Sequence, residues 1–65
     1  MKKYMVMICG DGEQACFFYD DYTKAENTRM DAAVSMGYIA QVYELMTEDP
    51  ITGEVISPSY FMIYE

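Results

Sequence analysis

The stretch from Thr23 to Met46 constrains the fold most, because it reads as a helix, a stop and a strand with no break between them. Thr23-Lys24-Ala25-Glu26 has the form of a capping box, in which hydroxyl and carboxylate each satisfy a free backbone N–H of the first turn. Lys24 to Met36 then runs without glycine or proline, which predicts a helix. Gly37 stands where a left-handed residue ends a helix at little cost. Tyr38 to Met46 is rich in β-formers and predicts a strand.

Two strands are predicted before the helix. Lys3 to Cys9 is a continuous apolar run of strand length, as in a central strand covered on both faces. Asp11-Gly12 favours a type I′ turn, and Ala15 to Tyr19 returns antiparallel. After the third strand, Pro50 and Gly53 supply a turn. Val55 to Tyr64 then closes the chain, split or bent at Pro58, where an edge or a bulge is expected. The fold class is therefore α+β, a ββαββ antiparallel sheet of four strands with one helix on one face, in a single domain over residues 1–65. For the helix, the stripe Met30, Ala33, Val34 and Gly37 is favoured as the inner face over Ala25, Arg29, Ala32 and Met36.

At 65 residues a chain buries only about 60% of the surface it exposes when unfolded, and it usually needs a staple: disulfides, a metal or a partner. There is no histidine and there are only two cysteines, which excludes a standard zinc site. The staple that remains is association, and a homodimer is expected. Lys2-Lys3 ahead of Tyr4 to Cys9 resembles a leader, but the apolar run is too short for one, and no stretch has the length of a membrane span. A cytoplasmic protein is expected, without a membrane partner.

The net charge of −7 is unevenly spread. Residues 1–29 hold five acids and four bases, whereas residues 30–65 hold six acids and no base. Direct nucleic-acid binding is disfavoured, since it needs Lys and Arg. An acidic half instead suits either solubility or a protein partner with a basic groove. Seven tyrosines are too many for one small core, and tyrosines beside acids suit a protein-binding surface. The expected partner-binding residues are Tyr43, Glu44, Glu48, Asp49, Glu54 and Tyr60.

Chemistry has little to work with. No Ser or Cys has a plausible base, and no phosphate-cradling glycine loop precedes the helix. No catalytic residue, metal or cofactor is expected, and the chain is read as a non-enzyme. Glu44, between Tyr43 and Leu45, is the one carboxylate placed to point inward, with solvent or Arg29 as its more ordinary surroundings. Asp11, Glu13, Asp20 and Asp21 are accounted for by turn and capping chemistry rather than by a cation. Cys9 and Cys16 read as buried free thiols. They lie opposite each other if the first loop has four residues, and do not if it has two.

The run Ala33-x-x-x-Gly37-Tyr38-x-Ala40-Gln41-Val42-Tyr43-Glu44 resembles the helix-to-strand junction of short acidic orphan proteins carried by Firmicutes phages and mobile elements. The resemblance covers the central third of the chain. It implies a small non-enzymatic accessory protein that binds and modulates a protein partner, such as an anti-CRISPR-like inhibitor or nucleic-acid mimic. The alternative function is a homo-oligomer that binds a nucleotide or metabolite.

Overall fold

A computed structural model describes residues 2–63 and shows the α+β arrangement. The elements are β1 (Tyr4–Gly10), β2 (Glu13–Tyr19), α1 (Tyr22–Met30) with a π-helical turn at Asp31–Ser35, β3 (Ile39–Glu48) and β4 (Val55–Met62). The strands form one antiparallel sheet in the order β2-β1-β3-β4. The end of the last predicted strand, at Tyr64, lies outside the described residues.

The first hairpin turns on Asp11 and Gly12 alone, both at positive φ (54° and 78°), which is the two-residue type I′ geometry. Cys9 consequently faces Gln14 and Cys16 faces Met7, so the thiols are offset, and Cys16 is exposed rather than buried. The second hairpin closes through Gly53, at φ 77°, whose N–H reaches the Asp49 carbonyl at 2.8 Å. Pro58 lies within one continuous strand, β4, which is an edge where its missing N–H costs no ladder bond. The expected irregularity includes Pro58 itself: between the pairs Met46–Ser59 and Glu48–Val55, β3 has the single residue Thr47 where β4 has Ile56, Ser57 and Pro58, so β4 bulges there.

The helix departs from expectation at both ends. It starts one residue before Thr23, and its cap is Asp21, whose Oδ1 accepts from the Thr23 N–H at 2.9 Å. Glu26 does not complete a capping box; it pairs with Arg29 one turn on. At the C-terminal end the last turn widens to π, and the Tyr38 N–H closes on the Ala32 carbonyl at 3.1 Å. That closure spans six residues where the Schellman closure spans five. Gly37 takes the expected left-handed conformation, at φ 70°.

The buried core is Val6, Ala25, Ala32, Ala40 and Val42. The helix therefore buries the stripe containing Ala25 and Ala32, not the favoured one: Met30 is 48% exposed and Val34 78%. The reason is steric. Alanines let the helix settle close to the sheet, where Val6 and Val42 meet Ala25, and a stripe headed by Met30 and Val34 would hold it further off.

Strand alternation separates two faces. Even positions of β1 (Tyr4, Val6, Ile8) face the helix together with Phe17 and Tyr19 of β2 and Ala40, Val42 and Glu44 of β3. The other face carries Met5, Met7 and Cys9, flanked by Phe18 on β2 and by Tyr43 and Leu45 on β3. Tyr60 and Met62 of β4 complete it. No helix covers this side among the described residues. The central strand β1 is thus covered by a helix on one face only.

Tyr38 fixes the junction to the first hairpin. Its ring lies over Gly10, so closely that a Cβ there would overlap the ring atoms, and its hydroxyl donates to Asp11 Oδ2 at 2.7 Å. Hydrogen bonding to Asp11, then the charge of that carboxylate, raises the Tyr38 pKa above its ordinary value. Gly10→Ala is expected to lower unfolding stability by about 1–3 kcal/mol in urea titrations, as overpacking does. In a Tyr38→Ala background the same change should cost much less, since the obstructing ring is gone.

Candidate partner groove and acidic end

The helix covers β1 and the adjoining parts of β2 and β3, and the helix-side surface toward β4 forms a half-open groove of about 680 Å³. Its walls are mainly apolar and aromatic, with Tyr4, Tyr22, Phe61 and Ile63 among them. Tyr4 and Tyr22 meet edge to face, with ring centroids 5.5 Å apart. Two carboxylates, Glu44 and Asp49, belong to the same lining.

Glu44 is brought here by alternation: it lies opposite Tyr4 on β1 and Phe61 on β4. Its neighbour is not Arg29, which pairs with Glu26, but Lys3, whose Nζ is 3.7 Å from Glu44 Oε1. The same ammonium stands 5.7 Å from the centre of the Tyr4 ring, within cation–π range. An aromatic face and a half-buried carboxylate thus hold one cation at the rim of an apolar groove.

Asp49 is a turn residue as much as a surface charge. Its Oδ1 accepts from the backbone N–H of Ile51 at 2.8 Å and of Thr52 at 3.1 Å. Those two bonds hold its pKa below the usual carboxylate value.

The six expected binding residues do not form one patch. Glu44 and Asp49 share the groove, Glu48 and Glu54 are exposed where β3 turns into β4, and Tyr43 and Tyr60 lie on the opposite, helix-free face. Tyr60 is further engaged, its hydroxyl donating to the Lys2 carbonyl at 2.7 Å. Lys3, Tyr4 and Tyr22 are far from Glu44 along the chain, and Phe61, though next to Tyr60, points to the opposite face from it and pairs with Glu44, so sequence adjacency does not gather them. A period-two reading of β1 and β3 separates Tyr43 from Glu44, but only the register places Glu44 beside Tyr4.

Of the first-hairpin and helix-cap acids, Asp11 sits in the turn and Asp21 caps the helix as expected, whereas Asp20 makes only an exposed ion pair. Asp11 accepts from Tyr38, Asp20 lies 3.9 Å from Lys2, and Asp21 caps α1. Among the described residues no group of three or more acidic or cysteine side chains is placed to hold a metal ion, and no helix is long and apolar enough to cross a membrane.

No protein-family model, curated protein or solved structure matches the chain.

The Asp49 turn carries a definite pH dependence. A carboxylate with a folded pKa below its unfolded value contributes stability above the unfolded value, about 3.9, and loses it as pH falls through the folded one. Asp49→Ala is therefore expected to lower the melting temperature at pH 7, and to lower it less at pH 2–3. Asp49→Asn, which keeps the acceptor oxygen, should fall between Asp49→Ala and the wild type at pH 7. Equal melting temperatures for Asp49→Ala and wild type at pH 7 would remove the turn from the account of stability.

Proposed function

We propose that the protein is a non-enzymatic binder of a cationic protein partner, taking a Lys or Arg side chain and its apolar neighbours into the groove beside Glu44. One observation carries this reading: the chain's own Lys3 rests at the groove rim between the Glu44 carboxylate and the Tyr4 ring, and so marks the chemistry the site accepts. Lys3 is the exposed member of its ion pair with the half-buried Glu44; surface pairs of this kind are worth about 0.2–1 kcal/mol, so the ammonium is readily displaced. A guanidinium serves the site better than an ammonium, since it bonds a carboxylate in two places and stacks on an aromatic ring. Glu48, Glu54 and the acidic residues 30–65 supply the long-range field that steers a basic surface toward the groove.

The resemblance of the helix-to-strand junction to short acidic phage proteins gives this reading a setting. A host protein that binds nucleic acid presents a basic surface, and an acidic chain that occupies it inhibits by mimicry. The partner surface is then the one that otherwise meets phosphates.

A second reading rests on the groove's size. About 680 Å³ is within the range of small-molecule sites, and a metabolite with an apolar body and a cationic group would fit the same lining. Such a ligand would raise the melting temperature by itself.

The test is a titration with an amphipathic peptide of alternating arginine and leucine. Its affinity is expected to fall several-fold as salt rises from about 50 to about 500 mM, because exposed charges are screened over a shorter distance. Glu44→Gln should weaken binding about tenfold, the scale of a lost charge-assisted hydrogen bond. Lys3→Met should strengthen it about threefold by removing the internal competitor. Binding indifferent to both substitutions would sink the proposal.

A further inference from the structure

The helix-free face of the sheet differs from the rest of the molecule in having no charge. In a chain of net charge −7, none of the positions that the register places on this face is Asp, Glu, Lys or Arg. Its polar positions are neutral: Gln41 is exposed at mid-strand on β3, and Gln14 on β2 turns its amide to the Met7 sulfur at 2.7 Å. From the two edge strands, Phe18 and Tyr60 lean inward until their ring centroids are 5.7 Å apart, forming an aromatic ridge over the inner strands. Phe18 nevertheless remains 47% exposed and Ile39 69%.

We propose that this face is the contact between two copies of the chain, packed sheet on sheet. Three observations select a second copy as the occupant. Two molecules of charge −7 repel each other over most of their surfaces, and this face is the broad one on which like charges need not meet. The accessible surface is 4651 Å², against about 4,250 Å² expected of a compact monomer of this size, so the lone chain carries unspent area. The face is also large enough. Four strands by about six residues measure about 400 Å² in plane at ordinary strand spacing and rise. With side-chain relief that is about 500 Å² per copy and about 1,000 Å² in total, the lower bound for a specific interface. An interface at this lower bound is expected to be reversible and concentration-dependent. The dimer is two-layered, with the sheets at its centre and the helices and grooves outside, so both grooves stay open.

Salt separates this interface from the groove, because the signs are opposite. Screening relieves repulsion between two acidic copies, so dimerisation tightens with salt while cationic-peptide binding weakens. The experiment is sedimentation equilibrium of the wild type from about 1 to about 200 µM at low and high salt, beside Gln41→Glu and Gln41→Ala. Gln41→Glu is isosteric and exposed in the free chain, and it sets like charges into an apolar contact. It is expected to weaken the dimer at least tenfold, with unchanged circular dichroism and peptide binding, whereas Gln41→Ala should change it less than threefold. Cys16, exposed on the same face, gives a readout that needs no substitution: its alkylation should slow as wild-type concentration rises. A chain that stays monomeric across this range overturns the proposal and leaves the face to another occupant. A dimer indifferent to Gln41→Glu overturns it too, and points to pairing through the β2 edge, two strands away.

Discussion

The structure depends on how closely one helix can lie on one sheet. Ala25 is fully buried against Val6 and Val42, and Ala32 follows it along the same stripe. Side chains this small bring the helix near enough for a single layer of contacts to exclude water, and dispersion rewards that proximity. The arrangement has a cost elsewhere. With valines and alanines in the core, the larger apolar groups, among them Phe17, Phe18, Met30 and Ile39, are left partly or largely outside. A small core of small residues and an apolar exterior are one fact seen from two sides.

Tyrosines hold the parts that this core does not reach. Tyr19 on β2 accepts a hydrogen bond from Thr28 on the helix at 2.7 Å, Tyr38 joins the helix-to-strand junction to the first turn, and Tyr60 ties the outer strand β4 to the start of the chain. Each ring contributes apolar area to the sheet, and each hydroxyl ends on a polar partner. Among the described residues no buried side-chain nitrogen or oxygen lacks a partner, so these links carry no desolvation debt. The abundance of tyrosine, which in a sequence suggests a binding surface, is here partly structural.

The legible parts of the sequence were those fixed by local chemistry. Asp11-Gly12, Gly37 and Gly53 each take the backbone conformation their residue types favour, and the ββαββ order follows from them. Illegible were the choices settled by neighbours distant in the chain. Thr23 and Asp21 are both competent caps, and the start of the helix is decided by where β2 delivers it. Two stripes of the helix have the spacing of an inner face, and the close approach that Ala25 and Ala32 allow over Val6 and Val42 decides between them. Adjacency in sequence groups Tyr43 with Glu44, yet adjacent strand residues point to opposite sides of the sheet. Lys3 and Tyr4 joined Glu44 through a register that no local pattern encodes.

The widened turn at Asp31–Ser35 acts as a spacer in this design. A π turn accommodates one residue more than the α-helix would over the same rise, and the closure from Tyr38 to Ala32 carries that same extra residue. Were the surplus residue removed and the turn wound as ordinary α-helix, everything beyond it would swing by one residue's rotation, about 100°. The Tyr38 ring would then leave Gly10, and β3 would approach β1 with its side chains facing the wrong way. A local loosening of the helix is in this sense the device that sets the phase of the third strand, and through it decides which face of the sheet holds the core and which stays bare.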